Sequence, residues 1–93
     1  MSLPPEKRRE IALMLIHMDI ELYRILAAEL RVPNPEQYMD RVRVYILAVG
    51  HVLGLEKELS DIMGVPINIM SSTMSKAYES VRRELFEKRE LPS

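Results

Sequence analysis

Asn68, Ser71, Ser72, Ser75, Lys76 and Arg82 recur at spacings that, on a helix, line one outward face or its flanks. The same helix would turn Met70, Met74, Ala77 and Val81 the other way, and Glu79 and Arg83 also fall on its outer side. Asparagine can bond the adenine edge in bidentate fashion, serine hydroxyls reach bases or phosphates, and lysine and arginine meet phosphates. Small uncharged side chains on the first turns would let such a helix sit deep in a major groove. The chemistry expected of these residues is therefore recognition of duplex DNA. Glu79 fits it only beyond the groove, or as an acceptor from a cytosine amine. The competing expectation is that the serine-rich face is simply solvated or meets another protein.

Other chemistry finds little footing. His17 and His51 fall on separate helices, and no HExxH spacing joins either to a carboxylate, so no metal site is expected. Cysteine is absent, which removes disulfides, zinc-thiolate sites and thiol nucleophiles together and suits a reducing cytoplasm. The three glycines form neither a GxGxxG nor a GxxxxGK[ST] phosphate loop. We expect no enzyme and no cofactor. Lys7, Arg8 and Arg9, with Arg41 and Arg43, read either as a phosphate patch or as ordinary solvated faces.

The elements that must position the serine-rich face are helices throughout. Pro4 and Pro5 suit a first helical turn, and Pro33 and Pro35 stop the helix they open, so the first helix should occupy residues 5 to 31. Asn34 with Gln37 reads as a capping start for a second helix reaching about residue 53. Tyr38, Val42, Tyr45, Val49 and Val52 share core spacing along it. A short third helix over residues 55 to 63 should turn at Gly64-Val65-Pro66 into a fourth over residues 66 to 89, ending before Pro92. Ser60 is small enough for a helix crossing, Gly64 can turn left-handed, and Met63, Met70 and Met74 should fill the core beneath. Ile67 and Leu85 extend the same inward stripe. No strand pattern or hairpin chemistry is present. The fold class expected is all-α: a four-helix single domain, residues 1 to 93, with a long N-terminal helix and a C-terminal helix-turn-helix within residues 35 to 90.

Residues 54 to 85 carry a family pattern. Ser60, Ile62, Gly64, Val65, Pro66, Met70, Ser72, Met74, Ser75, Lys76, Ala77, Val81 and Arg82 stand where similar residues occur in a known family. The segment resembles region four of bacterial sigma factors and the related helix-turn-helix domains that end quorum-sensing response regulators. The resemblance implies a DNA-binding domain and a role in transcription regulation, with residues 66 to 85 as recognition helix and the second helix as a brace behind it. Where that family tends to place lysine or arginine on the leading exposed positions, this chain has Ser71, Ser72 and Thr73.

The first helix has a different task. Glu10, His17, Glu21, Arg24 and Arg31 make one narrow polar stripe and nearly everything else on it is apolar, so it needs apolar neighbours on more than one side. A second copy of the chain would supply them, with Leu15, Met18, Asp19, Leu22 and Leu26 as the expected homodimer interface. Asp19, roughly opposite the stripe, is costly to bury alone and should find Arg41, Arg43 or a tyrosine hydroxyl. The alternative is a non-enzymatic helical adaptor, docking this helix on a protein partner in a transcription or replication complex. Net charge is −1, so DNA binding must rest on a local patch. The longest apolar run, IALMLI, is too short for a bilayer, and no membrane association is expected.

Overall fold

The computed structural model describes residues 3 to 90, with side chains described as far as residue 87. Four α-helices follow one another: α1, Pro5–Arg24; α2, Pro35–Val52; α3, Glu56–Met63; and α4, Ile67–Glu90. The expected all-α architecture is observed, and the described residues contain no strand. Pro92, the expected stop of the last helix, lies outside the described residues. No described helix is long and apolar enough to cross a membrane.

Local chemistry explains the boundaries. Pro5 takes the first position of α1, where its missing N–H would have had no partner, and Glu6 favours the positive end of the helix. Past Arg24 the helix widens into a π-helical end, Ile25–Glu29, so that the whole reaches the expected length. There the Leu30 N–H donates to the Ile25 carbonyl at 2.9 Å and the Val32 N–H to the Leu26 carbonyl at 2.9 Å. Arg31 closes this end in the left-handed region, φ 53°, where an L side chain is strained. The start of α2 differs from the expected capping box. Asn34 is itself left-handed, φ 55°, and makes no side-chain capping bond. Asparagine is used there for its tolerance of that conformation, and Pro35 follows with no N–H to satisfy.

The core sits where α1, α3 and α4 converge on α2. Ala12 and Leu15 of α1, Leu55 and Leu59 around α3, and Met70 and Met74 of α4 form its buried cluster, joined by Ile46 and Leu47 of α2. Leu55, Leu59, Met74 and also Met39 are buried entirely or nearly so, each contributing roughly 1.5–3 kcal/mol of transfer free energy. Gly50 allows the convergence. A Cβ there would stand 2.9 Å from Leu59 Cδ1 and 3.0 Å from Met74 Cε.

Several apolar residues lie elsewhere than their spacing predicts. On α2 the buried positions are Met39, Ala48 and Gly50, whereas Tyr38, Val49 and Val52 are exposed. Met39 lies one residue, about 100°, round the helix from Tyr38. Val42 and Tyr45 of the expected core stripe are half-buried between α1 and α4, and its other members face outward. Met63, at the last position of α3, and Ile67 and Leu85 of α4 are about half exposed; Ile67 precedes the crossing at Met70 and Met74, and Leu85 lies well beyond it.

Gly64 has the expected left-handed backbone, φ 69°, at the end of α3. We predict that Gly64→Val destabilises the fold by about 1 kcal/mol or more, while Gly64→Asn costs less, because asparagine tolerates this region and a β-branched residue does not. Urea unfolding of both variants reads the difference; equal midpoints would contradict the backbone argument.

Candidate nucleic-acid interface

The turn between α3 and α4 is held from inside. Ser60 is buried, and its hydroxyl donates to the Val65 carbonyl. The Ser60 carbonyl in turn accepts from the Gly64 N–H at 2.9 Å and the Val65 N–H at 3.2 Å. Small size was the reason to notice Ser60 in the sequence; its hydroxyl proves equally used, tying the turn to the helix before it. Ile62 and Val65 pack against the core on either side of the glycine. The Met70 N–H donates to the Pro66 carbonyl at 2.9 Å, so helical bonding begins directly after the turn.

On α4 the division of faces follows the sequence closely. Met70, Met74 and Ala77 are buried, and Asn68, Ser71, Ser72, Ser75 and Lys76 are all exposed. From Asn68 to Lys76 the rise along the helix is about 12 Å, a span suited to a groove. Arg82 stands about 9 Å farther along, exposed, with its guanidinium carbon 5.7 Å from the centre of the Phe86 ring. It is thus separated from the serine cluster, with Glu79 exposed between them.

Most of the other basic candidates are committed to structural pairs. Arg8 joins α1 to α3: its Nε donates to Glu58 at 3.0 Å, and the same guanidinium donates to the Gly54 carbonyl. That hydrogen bond from Arg8 holds the Glu58 carboxyl below the usual carboxylate range, outweighing the opposing effect of burial. Arg43 joins α2 to α1 by a forked contact with Asp19, at 2.9 and 3.3 Å, and reaches Glu36 at 2.6 Å. These contacts raise the Arg43 pKa above its ordinary value, the Asp19 hydrogen bond most of all. Asp19 has therefore met one of its expected partners within its own chain. Arg41 pairs with Glu84 of α4, which also accepts from the Tyr45 hydroxyl at 2.8 Å. Lys7 pairs with Glu10 at 3.4 Å. Arg9 remains on the exposed surface.

His17 is exposed, as expected. His51 sits in the last turn of α2, where a cation is favoured, but it is also engaged: its Nδ1 lies 2.9 Å from Glu56, and its ring centre lies 5.1 Å from that of Tyr78. Sequence spacing alone carried no sign of that contact. Among the described residues no group of three or more histidine, aspartate or glutamate side chains is placed to hold a metal ion.

The expected dimer residues are divided. Leu15 is buried in the chain's own core, and Asp19, partly exposed, is paired with Arg43 of its own chain. Leu22 and Leu26 are half-buried. Met18 is exposed, together with its neighbours Leu13 and Met14. The face of α1 turned outward is therefore rotated from the one predicted, because α2 and α3 take the Leu15 side.

No family model, curated protein or solved structure matches this chain.

The Arg8–Glu58 pair generates a pH-dependent prediction. Because the folded Glu58 pKa lies below its unfolded value, near 4.3, the stabilisation is present above that value and lost as pH falls through the folded one. Glu58→Gln should cost about 1 kcal/mol near pH 7 and progressively less in acid. Denaturant unfolding across pH 2.5–7, in steps of about half a unit around the carboxylate range, tests this; a deficit that does not shrink in acid would assign the loss to packing.

Proposed function

We propose that the protein is a small cytoplasmic helix-turn-helix regulator of transcription that binds duplex DNA, acting as a homodimer. The observation supporting this reading is the pattern on α4: five exposed residues, Asn68, Ser71, Ser72, Ser75 and Lys76, stand opposite buried Met70, Met74 and Ala77. The helix is held by a turn locked at Ser60 and Gly64. The likeness to sigma-factor region four and response-regulator DNA-binding domains supports the same reading. In it, Asn68 reads a base edge, the serines reach bases or phosphates, and Lys76 and Arg82 meet phosphates. With so many arginines engaged within the fold, few phosphates are neutralised, and the salt dependence of binding is shallow for a DNA-binding protein.

A second reading is favoured by the exposed Leu13, Met14 and Met18 on α1. It makes the chain a non-enzymatic adaptor, docking that helix on a protein of a transcription or replication complex. Salt separates the two, since even a few phosphate contacts weaken as ionic strength rises while an apolar interface hardly responds.

Selection from a randomised duplex library, followed by fluorescence anisotropy at low salt, tests the DNA reading. Lys76→Ala and Arg82→Ala should weaken binding uniformly across sequences and reduce the salt slope by about 1 each. Asn68→Ala should cost about 1–3 kcal/mol on the selected site and relax preference there. No affinity for any duplex at low ionic strength would overturn the DNA reading and leave the adaptor.

A further inference from the structure

A cavity of about 360 Å³ lies between α1, α2 and α3, and none of the residues lining it belongs to α4. Leu15 and Leu59, both buried in the core, line it together with the half-buried Ile46 and Leu47 of α2. Ile20 and Met63, 59% and 54% exposed, mark its opening to solvent. The volume falls within the range of small-molecule sites, which in helical bundles lie between helices. If each non-hydrogen atom takes the ~30 Å³ that a water molecule occupies in the liquid, the space holds about a dozen of them.

The polar part of the lining decides what the cavity takes. Its charged side chains, Asp19 and Arg43, are paired with each other at 2.9 and 3.3 Å, so the lining carries no net charge. Glu36, which also accepts from Arg43, lies outside the lining and, at 61% exposure, is screened by water. A charged ligand would have to displace one member of the Asp19–Arg43 pair or enter beside it unpartnered, losing its hydration. A neutral group avoids that cost. The bonds to Asp19 and Glu36 use three of the five guanidinium N–H groups, and the Asp19 carboxylate keeps lone pairs to spare. Both side chains are partly exposed and within reach of the opening. An amide or hydroxyl can therefore accept from Arg43 and donate to Asp19 while the pair stays intact. We propose that this cavity binds a neutral molecule of about a dozen non-hydrogen atoms, with an apolar body against Leu15, Leu47 and Leu59 and an amide or hydroxyl head at the Asp19–Arg43 pair. Leu15 and Leu59 also converge with Met74 on Gly50, so the bound molecule rests on the side chains that seat α4. The site does not depend on DNA binding or on a second copy of the chain.

Methyl NMR of the full chain, titrated with octanamide, octanoate and octylamine, tests the assignment, because the three share one apolar chain and differ in the charge of the head. Octanamide is expected to bind with a dissociation constant on the order of 100 µM, shifting the methyls of Leu15, Ile46, Leu47 and Leu59 saturably and leaving those of Val52 and Leu85 in place. Octanoate and octylamine, both ionised near pH 7, should bind at least about tenfold more weakly. Leu47→Trp fills the cavity and should remove octanamide binding. Arg43→Gln leaves the Asp19 carboxylate without its cation and should reverse the order, octylamine then outbinding octanamide about tenfold. Circular dichroism checks that each variant is folded; should Arg43→Gln unfold, the wild-type series and Leu47→Trp decide. Octanamide that does not saturate, shifts centred on Val52 and Leu85, a charged analogue that binds wild type as well as octanamide does, or undiminished binding to Leu47→Trp would each overturn the proposal. Duplex titrations of the same proteins keep the readings apart: a chain that binds octanamide as described but lacks DNA affinity sinks the DNA reading alone.

Discussion

The approach of α3 and α4 to α2 at Gly50 is the constraint on which the remaining structure depends. With no side chain at that point, Leu59 and Met74 come within contact of the α2 backbone, and Leu15 of α1 reaches the same place. Three helices therefore share one centre. On α2, Tyr38, Val49 and Val52 are left exposed, while Val42 and Tyr45 stay half-buried.

Arginine holds the periphery of this arrangement. Arg8, Arg43 and Arg41 each join two helices, through Glu58, Asp19 and Glu84, and each ends a side chain long enough to cover apolar surface on the way. A nearly neutral net charge thus hides an uneven distribution. Three basic side chains are engaged between helices, and the exposed leading half of α4 has Lys76 among uncharged neighbours. Whatever that surface meets must be recognised more by shape and hydrogen bonding than by field strength.

Much of this was legible from local sequence. The left-handed glycine, the inward Met70, Met74 and Ala77, and the outward serines follow from periodicity and backbone sterics, which act over a few residues. Asp19 could be anticipated to seek a basic partner because an unpaired buried charge is so costly. What escaped was non-local. Periodicity marks an apolar stripe but not which edge of it a neighbouring helix will cover, so Tyr38, Val49 and Val52 seemed inward and Leu15 seemed free. Asn34 shows the same limit at shorter range: its type announces a helix start, but not whether the side chain caps or the backbone turns left, as it does here.

The length of α4 has a mechanical consequence. At 24 residues it extends about 36 Å, with neither proline nor glycine within it. The core holds it near its start, at Met70, Met74 and Ala77, and α2 ties it farther along, through Arg41 and Tyr45 to Glu84. The helix is thus fastened at two points about 21 Å apart. A rotation about its own axis must disturb both, so the outward face of its leading half is held in a fixed direction relative to α2.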